Sequence, residues 1–137
     1  HRDHQLSLNA ESEKLARRIE AELTAAGRAP LACDHMLSHF RINDVDLNRI
    51  LGVMILQKRA IRTGDGAVWS VGAVREAWGR TKAELSRGES KSASQLREAL
   101  GLPRRHAIVL LEYFDKIGRL QRLEDLRQPG PTFDEPF

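Results

Sequence analysis

A chain of 137 residues can hold one domain or two small ones, and 41% hydrophobic with 30% charged residues is ordinary for a soluble globular protein. Only 5% is aromatic, which argues against a single-strand binder built on stacking platforms, while a net charge of +3 permits a polyanionic partner without demanding one. No apolar run approaches membrane-spanning length and no signal peptide is visible, so no membrane role is expected.

His1 is not a natural start, so the chain is expected to be a fragment of something longer. Residues 1–8 are polar and commit to no element. Asn9 can cap a first helix whose apolar positions Leu15, Ile19 and Leu23 repeat at helical spacing, with Gly27 as its stop. Ala29-Pro30 opens a shorter helix carrying Leu31, Met36, Leu37 and Phe40. Asn43 caps a third, with Val45, Leu47, Ile50, Leu51, Met54 and Ile55 as a broad apolar stripe. Asp44 and Asp46 suit its positive end. The pattern then changes: Ala60 to Thr63, Gly64-Asp65-Gly66 and Ala67 to Ser70 read as strand, turn, strand.

The order repeats. Val71 to about Ser86 is helical, with Val74, Trp78 and Leu85 on one side and Arg87-Gly88 at its end. Glu89 to Lys91 is a loop. Ser92 with Gln95 is a capping box for a helix ending near Leu100-Gly101. Pro103 fits the first position of the next helix, where Ala107, Leu110, Leu111, Phe114 and Ile117 form the core face. Leu120 to about Arg127 takes the hairpin's place, and a buried Leu120 would turn Arg119 outward by strand alternation. Leu123 has the opposite parity, so burying both would require a turn or bulge between them. Lys58 and Lys116 fall at equivalent points of a period of roughly 60 residues. The fold class expected is therefore mostly α with small β wings, in two tandem winged-helix domains, each a helix-turn-helix plus hairpin. Residues 1–70 form a spacer or support and residues 71–137 the binding domain, with a tail disordered from about residue 128.

Arg104 and Arg105 sit in the first turn of a helix, where the dipole disfavours cations; two arginines accepting that cost point to an external polyanion. Lys116, Arg119, Arg122 and Arg127 make a second basic cluster, diluted by Glu124 and Asp125. In the first half, Arg49, Lys58, Arg59 and Arg62 could make a similar surface, but the acidic helix start would repel a phosphate. The one cysteine, Cys33, cannot form an internal disulfide and fits a reducing cytoplasm. Cys33, His35 and His39 lack a fourth ligand for a structural zinc site, so no metal is expected. Trp69 and Trp78 read as packing residues. No catalytic constellation is present, so this fragment is not expected to be an enzyme.

The second half resembles the C-terminal winged-helix domain of the bacterial selenocysteine-specific elongation factor, SelB. The resemblance is carried by Leu96-Arg97-Glu98-Ala99-Leu100-Gly101, Arg104-Arg105, Ala107-Ile108 and the run from Leu110 to Gly118, and extends through Arg122, Asp125 and Arg127. It departs from the family pattern at Pro103, His106 and Gln121, and at Glu124, where glycine is common. The resemblance implies that this domain holds a hairpin in the messenger RNA, the selenocysteine insertion element, so that a particular UGA is decoded. Carried over by position, Arg104, Arg105, Arg122 and Arg127 are the implied RNA contacts, joined by Lys116 and Arg119. It also implies a GTPase portion elsewhere in the factor, holding GTP and Mg. Through that portion the partners would include selenocysteinyl-tRNA and the ribosome, and the fragment needs no cofactor of its own. A monomer in the cytoplasm is expected. The rival readings are a DNA-binding transcriptional regulator, which would need a two-fold or palindromic arrangement, and a protein-docking winged-helix module.

Overall fold

The computed structural model describes residues 7–86 and 90–137. The expected helix end at Arg87-Gly88 and the start of the loop at Glu89 lie outside the described residues, as do the first six of the polar stretch. The chain divides into two compact units, one ending at Ala73 and the other beginning at Val74. Both are mostly helical with small antiparallel sheets.

In the first unit α1 (Ala10–Ala26) is capped by Asn9, whose side chain accepts from Ser12 N at 2.8 Å, and stops at Gly27 with φ 62°. A shorter α2 (Cys33–His39) follows, then α3 (Asp44–Leu56), capped by Asn43 through Asp46 N. Strands β1 (Ile61–Arg62) and β2 (Val68–Trp69) pair antiparallel. Ile19, Leu23, Met36, Leu47, Leu51 and Met54 are almost wholly buried in one core. Each stabilises the unit by about 1.5–3 kcal/mol. Val45 and Ile55, expected in the apolar stripe, are instead exposed. Leu31 is not helical either. Its N–H and C=O both pair with Val68, at 2.8 and 2.9 Å, and supply a third strand-like position beside β2.

The second unit repeats this order. Ser70 accepts from Ala73 N at the start of α4 (Val71–Leu85). Next come β3 (Lys91–Ser92) and α5 (Ala93–Leu100) with the complete Ser92–Gln95 capping box. Helix α6 (Arg104–Lys116) leads into β4 (Leu120–Leu123) and β5 (Leu126–Pro129). The sheet order is β3-β5-β4, all antiparallel. Trp78, Leu96, Leu100, Leu110, Leu111 and Phe114 fill the core.

Helix α6 repeats α3 at an offset of about 60 residues, down to the hydrogen bonds of its exit. Lys58 N donates to Ile55 O and Arg59 N to Met54 O; Gly118 N donates to Asp115 O and Arg119 N to Phe114 O. Lys58 and Gly118 share a left-handed φ, 60° and 83°. The expected equivalence of Lys58 with Lys116 is thus corrected: Lys58 corresponds to Gly118, and Arg59 to Arg119. Arg59 reaches back to α1, bonding Glu13 through both terminal nitrogens at 2.8 and 2.9 Å and Glu20 at 2.6 Å. That contact holds the Glu13 carboxyl below the usual carboxylate range, chiefly by the hydrogen bond from Arg59, and raises the Arg59 pKa in turn.

The tail is a second correction. It was expected to be disordered from about residue 128, but β5 runs to Pro129 and the following turns lie across the unit's own helices. Gly130 N donates to Arg119 O, Thr132 N to Gly118 O, and Thr132 Oγ1 to Ile117 O. Phe133 meets Trp78 edge-on at 5.3 Å, and Phe137 meets Phe114 at 6.1 Å. Proline and glycine exclude a helix there, but they do not exclude an ordered strap.

Candidate nucleic-acid interface

Helix α6, like the short α2, begins without a side-chain cap. Helices α1, α3 and α5 each have a polar side chain accepting from the first turn. At α6 the cap is Pro103, φ −52° and ψ 143°, which offers no side-chain acceptor. Pro103 therefore stands one residue before the helix instead of opening it. The N–H groups of the first turn have no side-chain cap, and a helix start in that state attracts anions. Arg104 and Arg105 are exposed around it, and among the described residues neither has an ion-pair partner. The corresponding place in the first unit is closed: Asn43 caps α3, Asp44 stands where Arg104 is, Val45 where Arg105 is, and Asp46 follows. One scaffold thus carries opposite chemistry at the same position.

Arg122 is also exposed, on β4 directly opposite Arg127 of β5. Lys116 is exposed at the far end of α6, about 18 Å along the axis from Arg104. Its charge suits the negative end of the helix, so it does not share a site with the arginine pair.

Two of the expected contacts are corrected. Arg119 is 7% exposed. Its guanidinium donates to the carbonyls of Thr132, Glu135 and Pro136 and lies over the rings of Phe137, at 4.4 Å, and Trp78, at 5.8 Å. Leu120 is buried as expected, but Arg119 precedes the strand, so alternation does not turn it outward. Arg127 is 6% exposed and forks onto Asp115, Nη2 to Oδ2 at 2.9 Å and Nε to both oxygens at 3.1 and 3.2 Å. The strand itself has no bulge, because Leu123 is exposed and needs none. The bridge between α6 and β5 was missed in the sequence. Asp115 and Arg127 are twelve positions apart, and only the register of β5 brings them together.

The other residues singled out make local contacts. His35 and His39 stack at 5.1 Å, and His39 Nε2 lies 3.0 Å from Glu22. Arg62 lies 3.7 Å from the Cys33 sulfur and bonds Asn48. Trp69 is buried and donates to Thr63. Burial raises the Tyr113 pKa, so its hydroxyl keeps its proton at neutral pH. Among the described residues no helix is long and apolar enough to cross a membrane.

Known proteins share parts of this fold. Residues 83–128 match the family described as elongation factor SelB, winged helix. The match covers α5, α6 and the wing, including both exposed arginines and Arg122. Two solved structures share the wider fold. One is the mRNA-binding domain of elongation factor SelB from E. coli in complex with SECIS RNA; it is 19% identical, with a TM-score of 0.77, over 90% of this chain and 99% of that one. The other is a bacterial selenocysteine-specific elongation factor, EF-Sec, 23% identical with a TM-score of 0.67. It matches over 90% of this chain, which spans 20% of that one. No curated protein matches. The likeness to the SelB domain extends over both units, whereas the SelB family match is confined to the second.

Proposed function

We propose that this chain is the message-binding part of a selenocysteine-specific elongation factor, built as two tandem winged-helix domains of which the second grips an RNA hairpin of the selenocysteine insertion type. The observation that carries the reading is the pair Arg104 and Arg105, exposed at an uncapped helix start inside the segment that matches the SelB winged helix. The major groove of A-form RNA is too deep and narrow for a helix to read, so recognition falls on backbone, loop shape and unstacked bases. Guanidinium forks suit that task, because they bond phosphate bidentately and also stack on a base. Arg122 on the wing supplies a second point of contact. The remainder of such a factor would hold GTP and Mg and carry selenocysteinyl-tRNA to the ribosome in the cytoplasm; this part acts as tether and does no chemistry. The structural neighbour was solved on RNA, which disfavours the DNA-regulator and protein-docking readings.

The test is titration of a labelled selenocysteine insertion hairpin with wild type and with the double variant Arg104→Ala, Arg105→Ala. Affinity should fall by at least about tenfold, since each lost charged contact weakens binding by about 1.5–3 kcal/mol. Thermal melting should hardly change, because both side chains are exposed. The log-log salt slope should shrink by about 0.7–0.9 per phosphate released. Equal affinity of the two proteins at moderate salt overturns the assignment.

A further inference from the structure

Residues directly opposite each other in a ladder share a face. Arg122 on β4 lies opposite Arg127, and Lys91 on β3 lies opposite Arg127 from the other side. Three basic residues thus form a row across the sheet, an arrangement that like-charge repulsion disfavours. The central member is neutralised: Arg127 is buried and its fork closes on Asp115, in the last turn of α6. Beyond this row towards the turn the ladder continues only through Ser92 and Leu123, both opposite Leu126, and the side chains of the wing turn away from the core. Arg122 opposite Arg127, and Leu123, Glu124, Asp125 and Leu126 towards the turn, are all exposed. Leu120 anchors the base of β4, and the Asp115–Arg127 bridge is the outermost side-chain anchor given by the described residues.

We infer that Arg127 is a positioning residue and not an RNA contact: its bidentate bridge to Asp115 fixes the wing against α6, so that Arg122 and the Arg104–Arg105 helix start meet one hairpin together. The inference rests on the RNA-binding reading above. A planar fork on a carboxylate sets orientation as well as distance, which a lysine ammonium cannot do. The wing carries Arg122 one strand away from the bridge, so a swing about the base of β4 moves Arg122 and leaves the helix start in place.

The variant Asp115→Asn separates the two roles by sign. It leaves the Arg127 charge in place and removes a negative charge near the RNA. If Arg127 touched phosphate, hairpin affinity would hold or rise. As a positioning residue, Arg127 loses its partner, and affinity should fall by about tenfold, the loss of one well-made contact. Arg127→Lys, which keeps the charge but not the fork, should weaken binding similarly. The charge-swapped pair Asp115→Arg with Arg127→Asp should recover much of the loss. Melting of each variant is followed alongside, and titrations are run well below the lowest transition. If Asp115→Asn does not fold, Arg127→Lys and the swapped pair decide the question. Unchanged or improved affinity in Asp115→Asn or in Arg127→Lys overturns the inference. The Arg104→Ala, Arg105→Ala protein is the control: if it too binds normally, the RNA-binding reading itself has failed; if it alone loses affinity, only the positioning role has.

Discussion

Glu124 occupies the turn between β4 and β5 with φ 56°, a conformation that glycine adopts freely and a Cβ resists. Two-residue hairpin turns favour glycine at such a position, and the SelB resemblance marks it as a common glycine site. Glu124→Gly should therefore stabilise the second unit by about 0.5–1 kcal/mol, read as a raised melting midpoint. The same change removes a carboxylate two positions from Arg122, so hairpin affinity at low salt should rise as well. A lowered midpoint would show that the turn tolerates its glutamate. Residue identity in the sequence was a good guide where chemistry is local. Arg104 and Arg105 stand at a helix start that Pro103 and the apolar spacing reveal, and both are exposed. It misled at Arg119 and Arg127, because the acceptors that bury them lie in the tail and at the end of another element.

The helices were legible because their signals are short-range. Asn9, Asn43 and the Ser92–Gln95 box each satisfy N–H groups within three positions, and each caps the helix it was expected to cap. Leu31 was read as helical because its partner, Val68, lies in a strand far along the chain. The tail fails in the same way. Its glycine is there for space: a Cβ on Gly130 would collide with the carbonyl oxygens of Gly118 and Leu120. Gly130→Ala should cost about 1–3 kcal/mol, the range for forcing added volume into a packed site. In a domain of this size that is a drop of roughly 4–8 °C per kcal/mol. An unchanged midpoint would mean that the strap is not held where it lies.

Across the molecule, the two units use the same place in the fold for different ends. Arg59 and Arg119 both follow the exit of their unit's third helix, but one pairs with carboxylates of α1 and the other with carbonyls of the tail. Acid should therefore act on them unequally. Glu13 has its pKa lowered in the folded state, so its contribution is complete above the ordinary carboxylate value of 4.5 and is lost as pH falls through the lowered folded value. Wild type and Glu13→Gln should differ in stability at neutral pH and converge in strong acid, as followed by circular dichroism. A difference that persists there would put the bond's worth elsewhere. Among the described residues Arg119 has no carboxylate acceptor, and its bonds to neutral carbonyls have no proton to gain over that range. Its confinement has a practical side. Residues 131–137 complete a cage around a cation that would otherwise sit beside the Trp78 ring with none of these carbonyls to receive it. A dye attached within residues 131–137 would disturb that cage, so the reporter for hairpin capture belongs on the nucleic acid.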